Sequence, residues 1–336
     1  MKIVLDAMSG DNAPGEIVKG GVMAVKEFDC EIILVGDTEQ ITEVLVKEGQ
    51  AYNSKISVVH SEGIVEMCDD PKVVLRQKRG SSLGVALDII AKGEADAFVS
   101  AGNTGAVLTG ATLIVKRIAG VRRAALAPTL PTKTVGGSLL IDSGANVECT
   151  EEYLEQFAIM GSIYCEKTMG RARPKVGLIN NGSESSKGTP MIKAAHELLK
   201  QTHADGTINF IGNIEGRDVA EGTADVIVTD GFTGNILLKT YEGVGLYIAT
   251  QIKQMFTKNI FTKIGALLVK DGINDFKKSM DYKEVGGAPM LGIRKAIIKS
   301  HGSCDAYAIR SSVKQAIAYK ESGVIEDITR EIAKLS

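Results

Sequence analysis

Glycine, asparagine and threonine occur together in short loops that have the composition of an anion site. Gly102 and Gly105 flank Asn103 and Thr104 directly before a helical pattern. Backbone N–H groups are unpaired at the start of a helix, and glycine lets an anion approach them closely. Asparagine and threonine side chains add further donors. The loop therefore predicts a phosphate-binding turn, and an ordinary helix cap with a glycine turn is the structural alternative.

A second loop of this kind follows the apolar run "ADVIVT". Thr233, Gly234 and Asn235 offer a hydroxyl group, an open backbone and an amide at the start of a long helical pattern. Asp230 would hold a basic residue or a water in place, or would serve only as an acceptor at the helix entry. Two such loops in one chain favour an anion site over two independent caps.

Two residues could supply charge or a proton to a bound anion. Lys187 lies in "NNGSESSKGT", which is not a nucleotide-binding P-loop because Ser186 stands where the second glycine belongs. Lys187 is therefore either a positive charge directed at an anion or a solvated surface lysine. His301 precedes Gly302 and Ser303, and it is either an acid, base or phosphate ligand or a structural histidine.

Other candidates lie at the ends of further apolar runs or in turn-rich loops. Acidic residues there would position lysine or arginine and would not bind phosphate directly. We expect these residues to complete the substrate site: Asp6, Gly10, Asp11, Ser100 and Gly287.

Composition excludes several classes of protein. The 336 residues are 44% hydrophobic with a net charge of −2, so the chain can bury a core and has no overall positive field for nucleic acid. The five cysteines form no CxxC pair, which argues against a zinc site and a disulfide framework. The N-terminal residues lack the pattern of a signal peptide. We expect a cytoplasmic protein that needs no metal.

The loops above are positioned by short Val/Ile/Leu-rich runs, each followed by a longer helical pattern. Such nearly continuous apolar runs are typical of parallel strands that are covered on both faces. The pattern predicts one doubly wound α/β domain over residues 1–336, with ligands at the carboxyl ends of the strands. The predicted strands are 2–8, 31–37, 56–60, 96–101, 138–142, 175–180, 208–213 and 225–230.

One segment, residues 243–272, differs in composition from the rest. Between Gly243 and Lys270 it carries four lysines at spaced positions and no acidic residue. A single helix would place Lys253 beside Ile264, so two helices meeting near 257–259 are favoured. The segment is either a hairpin packed on its own domain or a twin subunit, or a membrane-surface tip. The membrane reading uses the apolar residues Phe256, Ile260 and Phe261.

Five motifs in this order carry a family resemblance: "LDAMSGDNAP", "VSAGNTGA", "NNGSESSKGT", "DVIVTDGFTGNILLK", and "GGAPMLG" followed by "HGSCDA". Over essentially its full length the chain resembles the bacterial phosphate acyltransferases of the PlsX type. Two departures are Ser9, where the family usually has glycine, and a less acidic "GSESSKG" segment.

The resemblance implies a homodimeric three-layer α/β/α fold similar to phosphotransacetylases and isocitrate-type dehydrogenases. It implies transfer of an acyl group from acyl carrier protein to inorganic phosphate, without a cofactor. The acyl phosphate would then feed a membrane glycerol-3-phosphate acyltransferase in phospholipid synthesis. Family members are cytoplasmic but associate with the membrane surface, through a projection that matches residues 247–270.

Phosphate is already nucleophilic, so we expect direct attack on the thioester without a covalent enzyme intermediate. The two glycine loops would bind phosphate or the oxyanion. Lys187 would offset the charge of phosphate, and His301 would protonate the leaving thiolate or ligate phosphate. Asp230 would orient Lys187 or His301. A basic patch for the acidic carrier protein would draw on Arg117, Arg122, Arg123, Arg171 and Arg173. Three alternatives remain: a β-decarboxylating dehydrogenase, a coenzyme A-dependent phosphate acetyltransferase, and a non-catalytic scaffold at the membrane.

Overall fold

The apolar runs form strands in a computed structural model, which describes residues 1–272 and 286–335. The sequence predicted eight of the strands and missed four short ones, β5, β6, β11 and β12, defined below. The strands of the described part are β1 (Lys2–Asp6), β2 (Glu31–Gly36), β3 (Ile56–His60), β4 (Ala97–Ser100), β5 (Ala125–Leu126), β6 (Thr129–Leu130), β7 (Ser138–Ile141), β8 (Lys175–Ile179), β9 (Asn209–Ile214), β10 (Val226–Val228), β11 (Ala288–Leu291) and β12 (Ala296–Lys299).

Helices alternate with these strands along most of the chain. They are α1 (Gly15–Glu27), α2 (Thr38–Lys47), α3 (Ser82–Lys92), α4 (Thr104–Gly110), α5 (Glu151–Met169), α6 (Pro190–Ala204), α7 (Gly216–Glu221), α8 (Gly231–Thr257), α9 (Ile260–Leu268), α10 (Ala306–Glu321) and α11 (Val324–Ala333). A short 3₁₀ turn covers Pro71–Leu75, and α4 continues into a π-helical turn over Ala111–Lys116.

The strands assemble into two sheets. The first has the order β3-β2-β1-β4-β12-β11-β5 and the second has the order β6-β7-β10-β8-β9. Strands β1, β2, β3, β4 and β12 pair in parallel, as do β7, β8, β9 and β10. Among the described strands, the antiparallel pairs are β11 with β12, β11 with β5, and β6 with β7. The predicted doubly wound, mostly parallel architecture is confirmed.

Helices cover both faces of the sheets and complete three layers. One hydrophobic cluster joins the two sheets and contains Leu5 of β1, Leu139 of β7 and Phe157 of α5. The opposite face of the first sheet packs Phe98 against Leu87 of α3 in a second cluster. The three-layer α/β/α fold follows from burial on both faces. Assignment of the whole chain to one domain stays a prediction.

The parallel register brings several strand ends to the same level. In the first sheet Val99 of β4 lies opposite both Leu5 of β1 and Ile298 of β12. In the second sheet Val228 of β10 lies opposite Ile141 of β7 and Leu178 of β8 in the same way. The loops that follow these strands therefore collect at one edge of each sheet, where ligands bind in folds of this type.

The predicted break between two helices near 257–259 is confirmed. Helix α8 ends at Thr257, and Asn259 caps α9 by accepting a hydrogen bond from the Thr262 N–H at 3.0 Å. Only Gly231 and Gly234 of α8 are buried, and no residue of α9 is. Within residues 1–272 and 286–335, no helix is both long and apolar enough to cross a membrane.

Candidate active site

The ends of β1 and β4 are joined by buried polar groups. The Ser100 hydroxyl donates to Asp6 Oδ2 at 2.8 Å and accepts a hydrogen bond from the Gly102 N–H at 3.0 Å. Burial raises the pKa of the Asp6 carboxyl, an effect that hydrogen bonds from nearby serines oppose. Asp6, Ser100 and Gly102, all candidates from the sequence, therefore lie together.

The loops after β1, β4 and β12 pack backbone against backbone. Gly10 has φ +107°, and a Cβ atom on it would lie 2.9 Å from Ala101 Cβ and 3.1 Å from the Gly302 carbonyl oxygen. The Asp11 N–H donates to that same carbonyl at 2.8 Å. Only glycine satisfies both the left-handed backbone and the close approach. The structure thus brings Gly10, Asp11 and Gly302 to the edge of the first sheet at which Asp6 lies.

The Asn103 side chain is used to hold a neighbouring loop. Its Oδ1 accepts the Ala106 N–H at 3.0 Å and caps α4, and its Nδ2 lies 3.0–3.3 Å from the carbonyl oxygens of Glu66, Met67 and Asp69. This is the structural role that the sequence left open as an alternative. A role for Asn103 in oxyanion binding stays a prediction.

Thr104 and Gly105 begin α4 and lie next to the loop that contains residues 66–69. A Cβ atom on Gly105 would lie 2.6 Å from Pro71 Cγ in the 3₁₀ turn. Met67 also reaches the β12 loop, since its methyl group lies 3.9 Å from the Cβ position of Gly302. The segment 66–71 therefore covers the start of α4 and one side of the candidate site.

His301 follows β12 at this edge. Its Nδ1 lies 2.9 Å from the Ser303 hydroxyl oxygen. Burial lowers the pKa of the His301 imidazole, while the charge of Glu242 opposes this effect. A histidine that is neutral at physiological pH can accept a proton or a hydrogen bond. Gly287, directly before β11, packs against the Lys299 carbonyl, so this candidate also belongs to the edge.

The candidates described so far form a first group at the edge of the first sheet. A second group surrounds the start of α8. Asp230 Oδ1 accepts the Thr233 N–H and Oδ2 accepts the Thr233 hydroxyl, both at 2.8 Å. Gly234 has no room for a side chain, because a Cβ atom there would collide with the Asp142 carbonyl oxygen. Asn235 lies beside Gly144. Helix α8 therefore starts in direct contact with the loop after β7.

That β7 loop is a part of the site that the sequence reasoning missed. Asp142 Oδ1 accepts the Leu126 N–H at 2.9 Å and the Ala145 N–H at 3.2 Å, and its Oδ2 accepts the Asn146 N–H at 2.6 Å. Burial raises the pKa of the Asp142 carboxyl, although these hydrogen bonds oppose it. The signal was available, because "DSGAN" follows an apolar run as the other polar loops do.

Helix α8 connects the two groups. Asn235, Lys239 and Glu242 are spaced by four and three residues, so they share one side of the helix. Asn235 lies at the β7 loop, whereas the charges of Lys239 and Glu242 both act on His301. Lys239 and Glu242 form an ion pair at 2.7 Å. Helix α8 therefore runs from contact with the β7 loop to within electrostatic range of His301 in the β12 loop.

Lys187 lies in the loop after β8 and is exposed. The Asn180 side chain donates to the Lys187 carbonyl at 3.2 Å, which orders the loop but not the ammonium group. Because β8 is next to β10 in the second sheet, this loop emerges beside the Asp230 loop. Its role toward phosphate stays a prediction.

The cysteines near these loops are poor nucleophiles. Burial raises the pKa of Cys149 to about 12 and that of Cys304 to about 11. A thiol with such a pKa carries almost no thiolate at neutral pH. In residues 1–272 and 286–335, no group of three His, Cys, Asp or Glu side chains is arranged to hold a metal ion.

We expect Asn103→Ala to lower the free energy of unfolding by about 1–2 kcal/mol, because it removes a helix cap and the donor to the partly buried carbonyl groups of residues 66–69. Asn103→Asp keeps the cap acceptor but loses the donor to the 66–69 carbonyls, and it should also raise protease cleavage in that loop. Urea unfolding and limited proteolysis measure both effects. Wild-type stability in both variants would contradict the role described for Asn103.

Solved structures share this fold. A phosphotransacetylase from Streptococcus pyogenes superposes with a TM-score of 0.66 at 17% identity, covering 96% of this chain and 94% of the other. The EutD phosphotransacetylase from Staphylococcus aureus superposes with a TM-score of 0.59 at 17% identity, covering 95% and 94%. At this identity the likeness establishes the fold alone.

Sequence comparison gives closer relatives. The family described as "Fatty acid synthesis protein" matches residues 1–327. The phosphate acyltransferase of Alkaliphilus oremlandii is 47% identical over 335 residues, covering 100% of this chain and 98% of that protein. The phosphate acyltransferase of Thermoanaerobacterium thermosaccharolyticum is 45% identical over 332 residues, covering 99% and 97%. The resemblance inferred from the five motifs is thereby confirmed. The chain belongs to the phosphate acyltransferase family of fatty acid synthesis proteins, whose members are transferases.

Proposed function

We propose that this chain catalyses the reversible transfer of an acyl group from acyl carrier protein to inorganic phosphate. The acyl phosphate formed would serve glycerol-3-phosphate acylation in phospholipid synthesis. The observation that carries the proposal is that helix α8 starts in one glycine-rich set of strand-end loops and extends to within electrostatic range of the other, in a chain of this family. Such loops can hold an anion and a thioester in contact.

The reaction requires position and charge stabilisation from the protein. A phosphate oxygen attacks the thioester carbonyl carbon, a C–O bond forms, and the carbonyl oxygen becomes an oxyanion. The C–S bond then breaks and the thiolate leaves with the carrier protein. Orientation of two reactants can lower the barrier by about 7–11 kcal/mol. Donors for phosphate or the oxyanion would come from Thr104, Gly105, Thr233, Gly234 and Asn235.

Lys187 would offset the charge of phosphate, and His301 would protonate the leaving thiolate or ligate phosphate. The low thiolate content of Cys149 and Cys304 supports attack by phosphate itself, without an acyl-enzyme. Cys68 is exposed, and we expect Cys68→Ser to retain activity. No cofactor takes part in this scheme.

A cluster of basic side chains supports an acidic protein as the acyl donor. Arg117 donates to the Arg122 carbonyl, Arg294 Nε donates to the Arg117 carbonyl at 3.0 Å, and the Arg123 guanidinium lies 5.2 Å from the centre of the Tyr153 ring. None of these four arginines forms an ion pair with another described residue. The positive charge of this arginine cluster complements an acidic carrier protein.

The location of this cluster suits a donor of the thioester. The charges of Arg123, Asp142 and Asp230 all act on Cys149, which places Arg123 close to the second group of site residues. Arg171 does not belong to the cluster, because it pairs with Asp225 at the amino ends of β8 and β10.

We further propose that the protein is a cytoplasmic homodimer that associates with the membrane surface through α8 and α9. Ile260 is 64% exposed, Phe261 is 81% exposed and Leu268 is 84% exposed, while Phe256 is half-buried. Apolar side chains exposed beside lysines suit the interface of an anionic bilayer. Packing of the same segment on a partner subunit is compatible with this role. A membrane glycerol-3-phosphate acyltransferase would be the consumer of the product.

The activity is tested by release of free thiol from palmitoyl-acyl carrier protein with and without phosphate, with palmitoyl-CoA as a parallel donor. We expect phosphate-dependent thiol release and formation of palmitoyl phosphate with the carrier protein. Lys187→Ala should reduce turnover at least tenfold with an unchanged melting temperature, because a charge that offsets phosphate is lost.

Arg117→Glu with Arg122→Glu should raise KM for palmitoyl-acyl carrier protein and leave KM for phosphate within twofold. Lys200→Glu, on α6, is a charge-reversal control outside the cluster. Absence of thiol release from either donor would contradict the proposed reaction. NAD reduction with a hydroxy acid would favour the dehydrogenase alternative, and turnover of acetyl-CoA would favour a phosphate acetyltransferase.

Membrane contact is tested by flotation with vesicles that contain anionic phospholipid. Phe261→Ser with Leu268→Ser should reduce the bound fraction severalfold, because two exposed apolar groups are lost, and should leave turnover of soluble substrate unchanged. Tyr52→Ser changes a fully exposed aromatic residue elsewhere and should bind like wild type. Equal flotation of the wild type, the double variant and Tyr52→Ser would refute the proposed membrane contact of α8 and α9. Light scattering would report the predicted dimer.

A further inference from the structure

Lys299, the last residue of β12, is a buried cation that the sequence analysis did not select. It is 7% exposed, and its Nζ donates to the Ser300 carbonyl. Lys299 has no ion pair with a carboxylate in the described part of the chain. Lysine is almost never buried without a partner, because removing its charge from water is costly. An unpaired buried ammonium group therefore indicates a negatively charged ligand.

Lys299 belongs to a polar row across three adjacent strands. It lies opposite Ser100 in the β12–β4 register, and Ser100 is hydrogen-bonded to Asp6 of β1. Side chains alternate along a strand, and Ile297 and Phe98 pack in the cluster on the α3 side. Lys299 is two residues after Ile297, and Ser100 is two residues after Phe98. Both side chains therefore face the α3 side of the sheet, at its carboxyl edge.

The same edge contains further buried polar side chains. Asp6 Oδ1, Ser9 Oγ and Ser82 Oγ are buried close together without a well-aligned hydrogen bond in residues 1–272 and 286–335. Asp6 is fully buried, and the serine hydroxyls of Ser9, Ser82 and Ser100 are the groups that act on its carboxyl. The edge of the first sheet therefore carries a compact set of buried polar side chains beside Lys299.

We propose that the Lys299 ammonium group is the fixed positive charge that binds the phosphoryl group at the β1–β4–β12 edge, as either inorganic phosphate or acyl phosphate. The inference rests on the proposed function and adds a second cation to it. Lys187 is exposed and is screened by solvent, whereas Lys299 acts from a buried position where a charge interacts more strongly. Binding by Lys299 holds phosphate beside the Gly10, Gly102 and Gly302 loops.

The titration of Lys299 gives this role a pH signature. Burial lowers its pKa to about 8, while Cys304, Asp6 and Asp11 favour its charged form and Lys239 disfavours it. Burial lowers the pKa of His301, two residues further along the chain, so this imidazole adds no positive charge at neutral pH. The ammonium form predominates at pH 7 and is lost as the pH rises through about 8. Phosphate affinity should therefore fall on the alkaline side of this value.

The test measures inorganic phosphate binding to the full-length protein by calorimetry, together with KM for phosphate. Lys299→Met removes the charge in an apolar side chain of similar length, which a buried site tolerates. We expect it to weaken phosphate binding and raise KM for phosphate at least tenfold, with KM for palmitoyl-acyl carrier protein within twofold. Lys295→Met, just before the same strand, is the matched control and should bind phosphate like wild type.

Lys299→Arg keeps a charge that does not titrate. Lys299→Arg should retain phosphate binding and abolish the loss of phosphate affinity between pH 7 and pH 9.5. A purely structural role of Lys299 would not change this pH dependence. The measurement also does not require that Lys299→Met folds. Wild-type phosphate affinity in Lys299→Met, or an unchanged alkaline loss in Lys299→Arg, would overturn the proposal. Calorimetry needs no acyl donor, so phosphate binding without turnover would count against the proposed reaction alone.

Discussion

The buried hydrogen bond between Ser100 and Asp6 is the contact on which the candidate site depends. Two neighbouring parallel strands end at the same level, and a polar side chain from each must find a partner inside the protein. The same Ser100 hydroxyl accepts the Gly102 N–H, which sets the direction in which the chain leaves β4. The loops that follow are then close enough to pack against each other without side chains between them.

This constraint explains why the site is built from glycine, serine and asparagine. Gly10 is pressed between two loops, and Gly234 against a third, so any larger residue would separate the strand ends. The same close packing leaves backbone N–H groups and a few short polar side chains to receive a substrate. Such a site can orient an anion and stabilise an oxyanion, which is what attack by phosphate on a thioester requires. The buried cysteines offer no competing nucleophile.

The parallel strands and the loops after β4 and β10 could be predicted from the sequence, because long apolar runs end in distinctive polar residues. Two of the four missed strands, β5 and β6, are only two residues long, and β11 contains a proline, so their patterns are hard to distinguish from loops. Asn103 was recognised as polar and well placed. Its bonds to carbonyl groups more than thirty residues away depend on tertiary packing that no local pattern encodes. Lys299 was missed because a lysine at a strand end ordinarily faces solvent.

The central claim is that phosphate attacks the thioester directly at a site that supplies position and charge. The most direct measurement is acid quenching of the enzyme after mixing with radiolabelled palmitoyl-acyl carrier protein, first without and then with phosphate. We predict no label on the enzyme in either case, and label in palmitoyl phosphate only when phosphate is present. Label that accumulates on the chain without phosphate, and that moves to palmitoyl phosphate when phosphate is added, would contradict the account.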